Sequence, residues 1–115
     1  MFDFEKLIVY QKAKTLNSQI FKWLKDHPKL DSITRDQLRR ASLSIPLNIA
    51  EGSGRFSKAD RRNFYTVSRS SVFECVAIFD ILKGEGVISV EEFDLYYKTF
   101  DEISRMLYAM IGKLA

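Results

Sequence analysis

Lys58, Arg61, Arg62, Tyr65 and Arg69 recur at three- and four-residue spacings. On a helix turning about 100° per residue they share an arc of roughly 100° over three turns. Four cations flanking one aromatic ring can track phosphates and offer a stacking surface to a base. Arg35, Arg39 and Arg40 upstream, and Arg55 in the segment between, extend the same chemistry. The charge around them is uneven. Of 18 basic and 15 acidic residues, positions 34–69 hold eight and three, while positions 70–115 hold four and eight. A basic middle beside an acidic end fits a polyanion-binding face. It equally fits complementary neighbours in one bundle, with salt bridges from the basic helix to the acidic one. No base-reading module accompanies the cations, so binding of RNA or DNA is expected to be salt-sensitive and weakly sequence-specific.

Other reactive residue types lack the company that catalysis needs. His27, the one histidine, precedes Pro28 and is expected to cap or decorate a turn. Cys75, the one cysteine, lies on the apolar stripe Val72, Cys75, Phe79, Leu82 and reads as a small buried hydrophobe. The two are far apart in sequence and make no zinc site alone. Gly52-Ser53-Gly54 follows no strand and precedes no Gly-Lys-Ser/Thr, so it is no phosphate loop. Glu74 follows Phe64, Val67 and Ser71 at heptad spacing and points toward a bundle or subunit contact. Burying that carboxylate calls for a partner, with Arg39, Arg40, Arg55 and the Asn48 amide as candidates. A structural polar network is the reading; no catalytic residue, metal or cofactor is expected.

The elements that carry these residues follow from patterning. At 115 residues and 46% hydrophobic content the chain is one domain with enough apolar material for a core, and two prolines and five glycines leave few turns. The N-terminal MFDFEKLIVY lacks the blocks of a signal peptide, and no apolar run approaches the roughly 18 residues that span a membrane. A cytoplasmic protein is expected. Four helices are predicted. The first runs from about Phe4 to Asp26 and stops at His27-Pro28. The second runs from about Ser32 to Glu51, with Gly52 as a left-handed exit. The third opens at Ser57, with Asp60 close to a capping-box position, and continues to about Lys83. The fourth opens on the capping-box pair Ser89 and Glu92. Its residues Phe93, Tyr96, Phe100, Ile103, Leu107, Met110 and Leu114 form a heptad seam that demands a partner. These lengths and short connections suit an all-α, antiparallel up-down-up-down four-helix bundle.

The second helix departs from a simple amphipathic pattern. Leu38, Ala41, Ile45 and Ile49 fall on one arc, and Leu43, Leu47 and Ala50 on a nearly opposite one. A polar stripe of Gln37, Ser44, Asn48 and Glu51 lies between them. Two apolar faces imply burial on two sides, one within the bundle and one against another copy of the chain. Pro46 removes the hydrogen bond to the Ser42 carbonyl, which predicts a kink near Ser42 to Ile45 or a break into two short helices. Such a kink lets the helix wrap its neighbours or exposes Ser42 and Ser44 to a ligand or partner.

The runs VYQKA from Val9, QLRRASLSIPLNIAEGSGR from Gln37, the segment from Phe64 to Cys75 ending SSVFEC, and the closing Gly86-Val-Ile-Ser together carry a resemblance. The chain resembles the four-helix-bundle proteins encoded in intervening sequences of bacterial 23S ribosomal RNA genes. More distantly it is similar to the accessory proteins of diversity-generating retroelements. The first resemblance implies a ring-shaped homopentamer, with nucleic-acid binding and no enzyme activity. The second implies a scaffold whose partner is a protein such as a reverse transcriptase. The chain departs from the family pattern at Tyr10, where tryptophan is usual, and at Ser70-Ser71 and Glu74-Cys75, where Gly-Ser and Glu-Leu are usual.

Overall fold

In the computed structural model, which describes residues 1–115, four helices carry the chain: α1 (Ile8–Lys25), α2 (Ser32–Ser53), α3 (Lys58–Gly84) and α4 (Val90–Lys113). A single 3-10 turn at Asp3–Lys6 occupies the expected start of the first helix, and Leu7 is extended before α1 begins. Side chains set the other entries. Asp31 accepts from the Thr34 amide at 2.8 Å, Ser57 from Asp60 at 3.0 Å and Ser89 from Glu92 at 3.1 Å, each satisfying an otherwise unpaired first-turn donor. Glu92 does not return the bond to Ser89. Its carboxylate accepts from the Trp23 indole at 2.9 Å, tying the first turn of α4 to the last turns of α1.

Helix α2 runs unbroken through Pro46, so the break into two short helices is not found. Nor does it leave through a left-handed Gly52. It continues to Ser53 and is capped by Gly54 at φ −89°, and only Gly86 has a positive φ, 75°. Gly52 serves a close approach instead, because a Cβ there would lie 2.8 Å from Tyr65 Cε1 and 3.0 Å from Phe64 Cβ. Near Pro46 the buried Ser68 hydroxyl donates to the Ile45 carbonyl at 2.8 Å, stitching α3 to α2. Ser42 is buried and donates to Asn17 Oδ1, so it is not offered to a ligand.

Helices α1 and α3 each pack on α2 and α4, while the backbones of the diagonal pairs stay apart and meet only through core side chains such as Trp23 and Phe79. Residue numbers rise on one helix as they fall on its neighbour. Leu24 is near Arg35 and Asn17 near Ser42; Ser44 meets Ser71, and Gly52 meets Tyr65. Likewise Arg62 meets Leu114 and Arg69 meets Ser104, while Lys12 meets Glu102 and Trp23 meets Glu92. The long dimension, 43 Å, matches a 27-residue α3 at about 1.5 Å per residue.

The buried positions are those that the periodicity selects. Leu16, Ile20, Trp23 and Leu24 come from α1, and Leu38, Ala41, Ile45 and Ile49 from α2. Val72, Cys75, Phe79 and Leu82 come from α3, and Phe93, Phe100, Ile103 and Leu107 from α4. Phe79 sits at the centre of an aromatic cluster. Trp23 meets it edge-on at 5.4 Å, Tyr96 stacks at 4.9 Å and Phe100 lies at 5.8 Å. His27 decorates the end of α1, its Nδ1 2.7 Å from the Trp23 carbonyl and its ring stacked on the indole. Burial pushes the Cys75 thiol up to about 12, with the Glu74 carboxylate adding to the shift. At neutral pH it therefore holds no thiolate and packs as a hydrophobe.

Candidate nucleic-acid interface

The loop between α2 and α3 brings the cations together. Ser57 fixes the first turn of α3, and the Arg61 side chain, one turn on, reaches back to donate from Nε to the Arg55 carbonyl at 2.6 Å. Arg55 itself lies over the Phe64 ring at 4.5 Å, and Lys58 is exposed. Arg55 and Arg61 thus meet at this end of the bundle, with the exposed Lys58 at the start of α3 between them in sequence. Arg62 and Arg69 turn away from them. Arg62 donates to the Leu114 carbonyl at 2.8 Å, over the end of α4. Arg69 lies between the rings of Phe73 and Tyr108, 4.8 and 5.3 Å from their centroids, with Nε toward the Ser104 carbonyl.

Tyr65 does not offer the expected stacking surface. It is only 5% exposed, set against Gly52 in the α2–α3 contact. Burial raises its phenol above the ordinary value, while the Arg61 charge opposes that rise. The aromatic presented among these cations is Phe56, 101% exposed at the loop tip, which helical periodicity cannot find because it lies outside both helices. An aromatic with no apolar neighbour in Gly-Arg-Phe-Ser was the available signal.

Salt bridges from the basic segment to the acidic last helix do not form. The ion pairs are Lys12–Glu102, Lys83–Asp80 and Arg105–Asp101, so none of the eight cations in 34–69 has a carboxylate partner. Where those arginines bond, they take carbonyls or aromatic faces: Arg35 the Leu24 and His27 carbonyls, and Arg39 the Phe21 ring. Carbonyls and rings satisfy geometry without cancelling a full charge. The cap that Arg35 places on the end of α1 had no periodic signal in the sequence.

The second face of α2 remains open. Leu43 and Leu47 are 41% and 51% exposed, and Val67 of α3 is exposed alongside. Between them a polar cluster is closed: the Asn48 amide donates to the Ser44 carbonyl and hydroxyl, and Ser71 donates to Ser44 Oγ at 2.8 Å. Gln37 and Glu51 are exposed on the same helix. Glu74 is exposed too and bonds none of Arg39, Arg40, Arg55 or Asn48, so the buried pair expected within the bundle is absent. Its heptad position is solvent-exposed rather than inside the α2–α3 contact.

A family model described as 23S rRNA-intervening sequence protein matches residues 5–109. No curated protein matches the chain. Among solved structures, a protein of unknown function from the S23 ribosomal protein family of Bacteroides thetaiotaomicron superposes with a TM-score of 0.83. It is 22% identical, over 90% of this chain and 98% of that one, a likeness that speaks to the fold.

Proposed function

We propose that this chain, which belongs to the 23S rRNA-intervening sequence protein family, is a non-enzymatic, self-assembling helical bundle that binds RNA or DNA through cations at its α2–α3 end. The observation that carries this reading is the absence of any carboxylate partner for the eight cations of 34–69. A basic segment whose charge is not spent on its acidic neighbour keeps a positive field for a polyanion. Binding measured by anisotropy across a salt series, with and without Arg61→Ala and Arg62→Ala together, tests it. Affinity is expected to fall steeply with salt and to weaken in the double variant for every sequence alike. Salt-independent binding, or a double variant equal to wild type, counts against the reading.

Assembly is the second half of the proposal. Leu43 and Leu47 are exposed on a helix, α2, whose other face is already buried, with Val67 of α3 exposed beside them, and a second copy is the cover that suits a two-faced helix. The number five follows from the family resemblance, and a ring would repeat each cationic cluster and raise avidity without new contacts. Leu43→Asp with Leu47→Asp is expected to reduce the sedimenting mass from five times 13.4 kDa to that of one chain. A double variant that keeps the wild-type mass would remove this face from the interface. No helix is long and apolar enough to cross a membrane, and the cytoplasm is the proposed compartment.

A second reading, a scaffold for a protein partner such as a reverse transcriptase, draws on the α3–α4 groove. That groove of about 900 Å³ has Val72 and Phe100 among its lining residues, and Phe73, Tyr97 and Tyr108 line it while remaining exposed. Wild-type protein that binds neither RNA nor DNA at low salt would favour it.

A further inference from the structure

We propose that Phe56 is a base-stacking post for single-stranded nucleic acid, an inference that rests on the cationic reading above. Its side chain makes no packing contact that hides it from solvent, being 101% exposed. The backbone on both sides is nevertheless held. The amides of Gly54 and Arg55 donate to Glu51 and Gly52, Arg61 grips the Arg55 carbonyl, and Ser57 caps α3. An exposed ring on a fixed loop is displayed rather than merely unpacked, and its ordering costs little on binding. Phe56 follows Arg55 directly and precedes Lys58 by two residues, and Arg61 reaches back to the Arg55 carbonyl beside it.

Phosphate-seeking cations beside one free aromatic face are the two components of sequence-tolerant single-strand binding: the charges follow the backbone while the ring accepts whichever base is unstacked. Tyr65, buried against Gly52, is closed to this role, and Phe73 and Tyr108 flank Arg69 in the α3–α4 groove. A duplex keeps its bases stacked on one another, so it meets the cations and not the ring. Phe56 therefore discriminates single strands from duplexes.

The test is anisotropy on a labelled oligouridylate and a labelled RNA duplex of equal length, using wild type, Phe56→Leu, Phe56→Trp and Lys58→Gln with Arg61→Gln. Phe56→Leu keeps apolar bulk but loses the π-face, and is expected to weaken oligouridylate binding roughly tenfold while duplex binding stays within about twofold. Phe56→Trp retains single-strand binding, and its added indole is quenched when the strand is bound. The charge variant weakens both probes. Phe56→Leu equal to wild type on oligouridylate, or equally weakened on both probes, overturns the stacking role. If the charge variant still loses both probes, the cationic reading survives that failure; wild type binding neither probe overturns both. Phe56-dependent binding to phosphatidylglycerol vesicles without oligouridylate binding also overturns the proposal, because the ring would then be a lipid anchor.

Discussion

Phe79→Ala is expected to lower the stability of the bundle by about 3–5 kcal/mol, the range for emptying a buried aromatic site. Phe79 is fully buried and touches three further aromatics, Trp23 from α1 and Tyr96 and Phe100 from α4. Deleting the ring removes apolar burial and leaves a cavity walled by aromatic side chains from α1 and α4. It also strips Trp23 and Tyr96 of their edge-on and stacked partner. Those walls cannot all collapse, since Trp23 is held by Glu92 and the Tyr96 hydroxyl reaches the Gln19 carbonyl. Against a total of about 5–15 kcal/mol the loss is large. The fall in Tm should be at least about 10 °C, read by circular dichroism and by Trp23 fluorescence at fixed protein concentration. A fall of only a degree or two would mean that the aromatic cluster is not the centre of the core.

Gly52→Val is expected to cost about 1–3 kcal/mol by overpacking, whereas a side chain at Gly54 is tolerated. The two glycines differ in what surrounds them. A Cβ at Gly52 meets Tyr65 and Phe64 at 2.8–3.0 Å; a Cβ at Gly54 meets nothing nearer than the Glu51 carbonyl at 3.6 Å. Replacing Gly52 with valine therefore drives α2 from α3 or forces Tyr65 out of its site. Gly54→Ala, at a φ of −89°, carries no such penalty. Thermal unfolding of the pair checks this, and equal midpoints for Gly52→Val and Gly54→Ala would contradict the close approach. Exposure of Tyr65 in Gly52→Val should also return its raised phenol toward the ordinary value, which a spectrophotometric titration reads.

These two positions mark what was legible in the sequence. Phe79 could be placed in the core from the spacing Val72, Cys75, Phe79, Leu82 alone, because a helix buried along one stripe repeats every three to four residues. The four helices, both serine caps and the two faces of α2 followed from the same periodicity and from local side-chain chemistry. Gly52 was legible as special but not as what it is. Glycine serves a left-handed exit and a close helix approach equally well, and only the position of α3 decides between them. That ambiguity spread to Tyr65: an arc drawn on α3 alone places it among cations, but α2 comes close enough at Gly52 to bury the ring. Capping had a similar limit. Glu92 stood at the spacing of a capping box, yet Trp23, 69 residues away, takes its carboxylate. Loop residues carry no periodic signal, so Phe56 became visible only once the helices on either side were placed.

The charge pattern was legible as a distribution and silent on pairing. Eight basic residues in 34–69 and eight acidic ones in 70–115 are what neighbours in mutual neutralisation would show. The structure sets them on adjacent helices without pairing their charges. Acids of α4 pair with Lys12 of α1 and Arg105 of α4 itself, while Arg62 and Arg69 bond α4 through its carbonyls. The direct measurement of whether that free charge is used is the salt dependence of binding to one RNA by wild type and by Arg55→Gln, Lys58→Gln, Arg61→Gln. Wild type should give a linear fall of log affinity with log salt, and the triple variant a slope shallower by about two to three with weaker binding throughout. Parallel lines of equal affinity, or no RNA binding by wild type at low salt, would contradict the account.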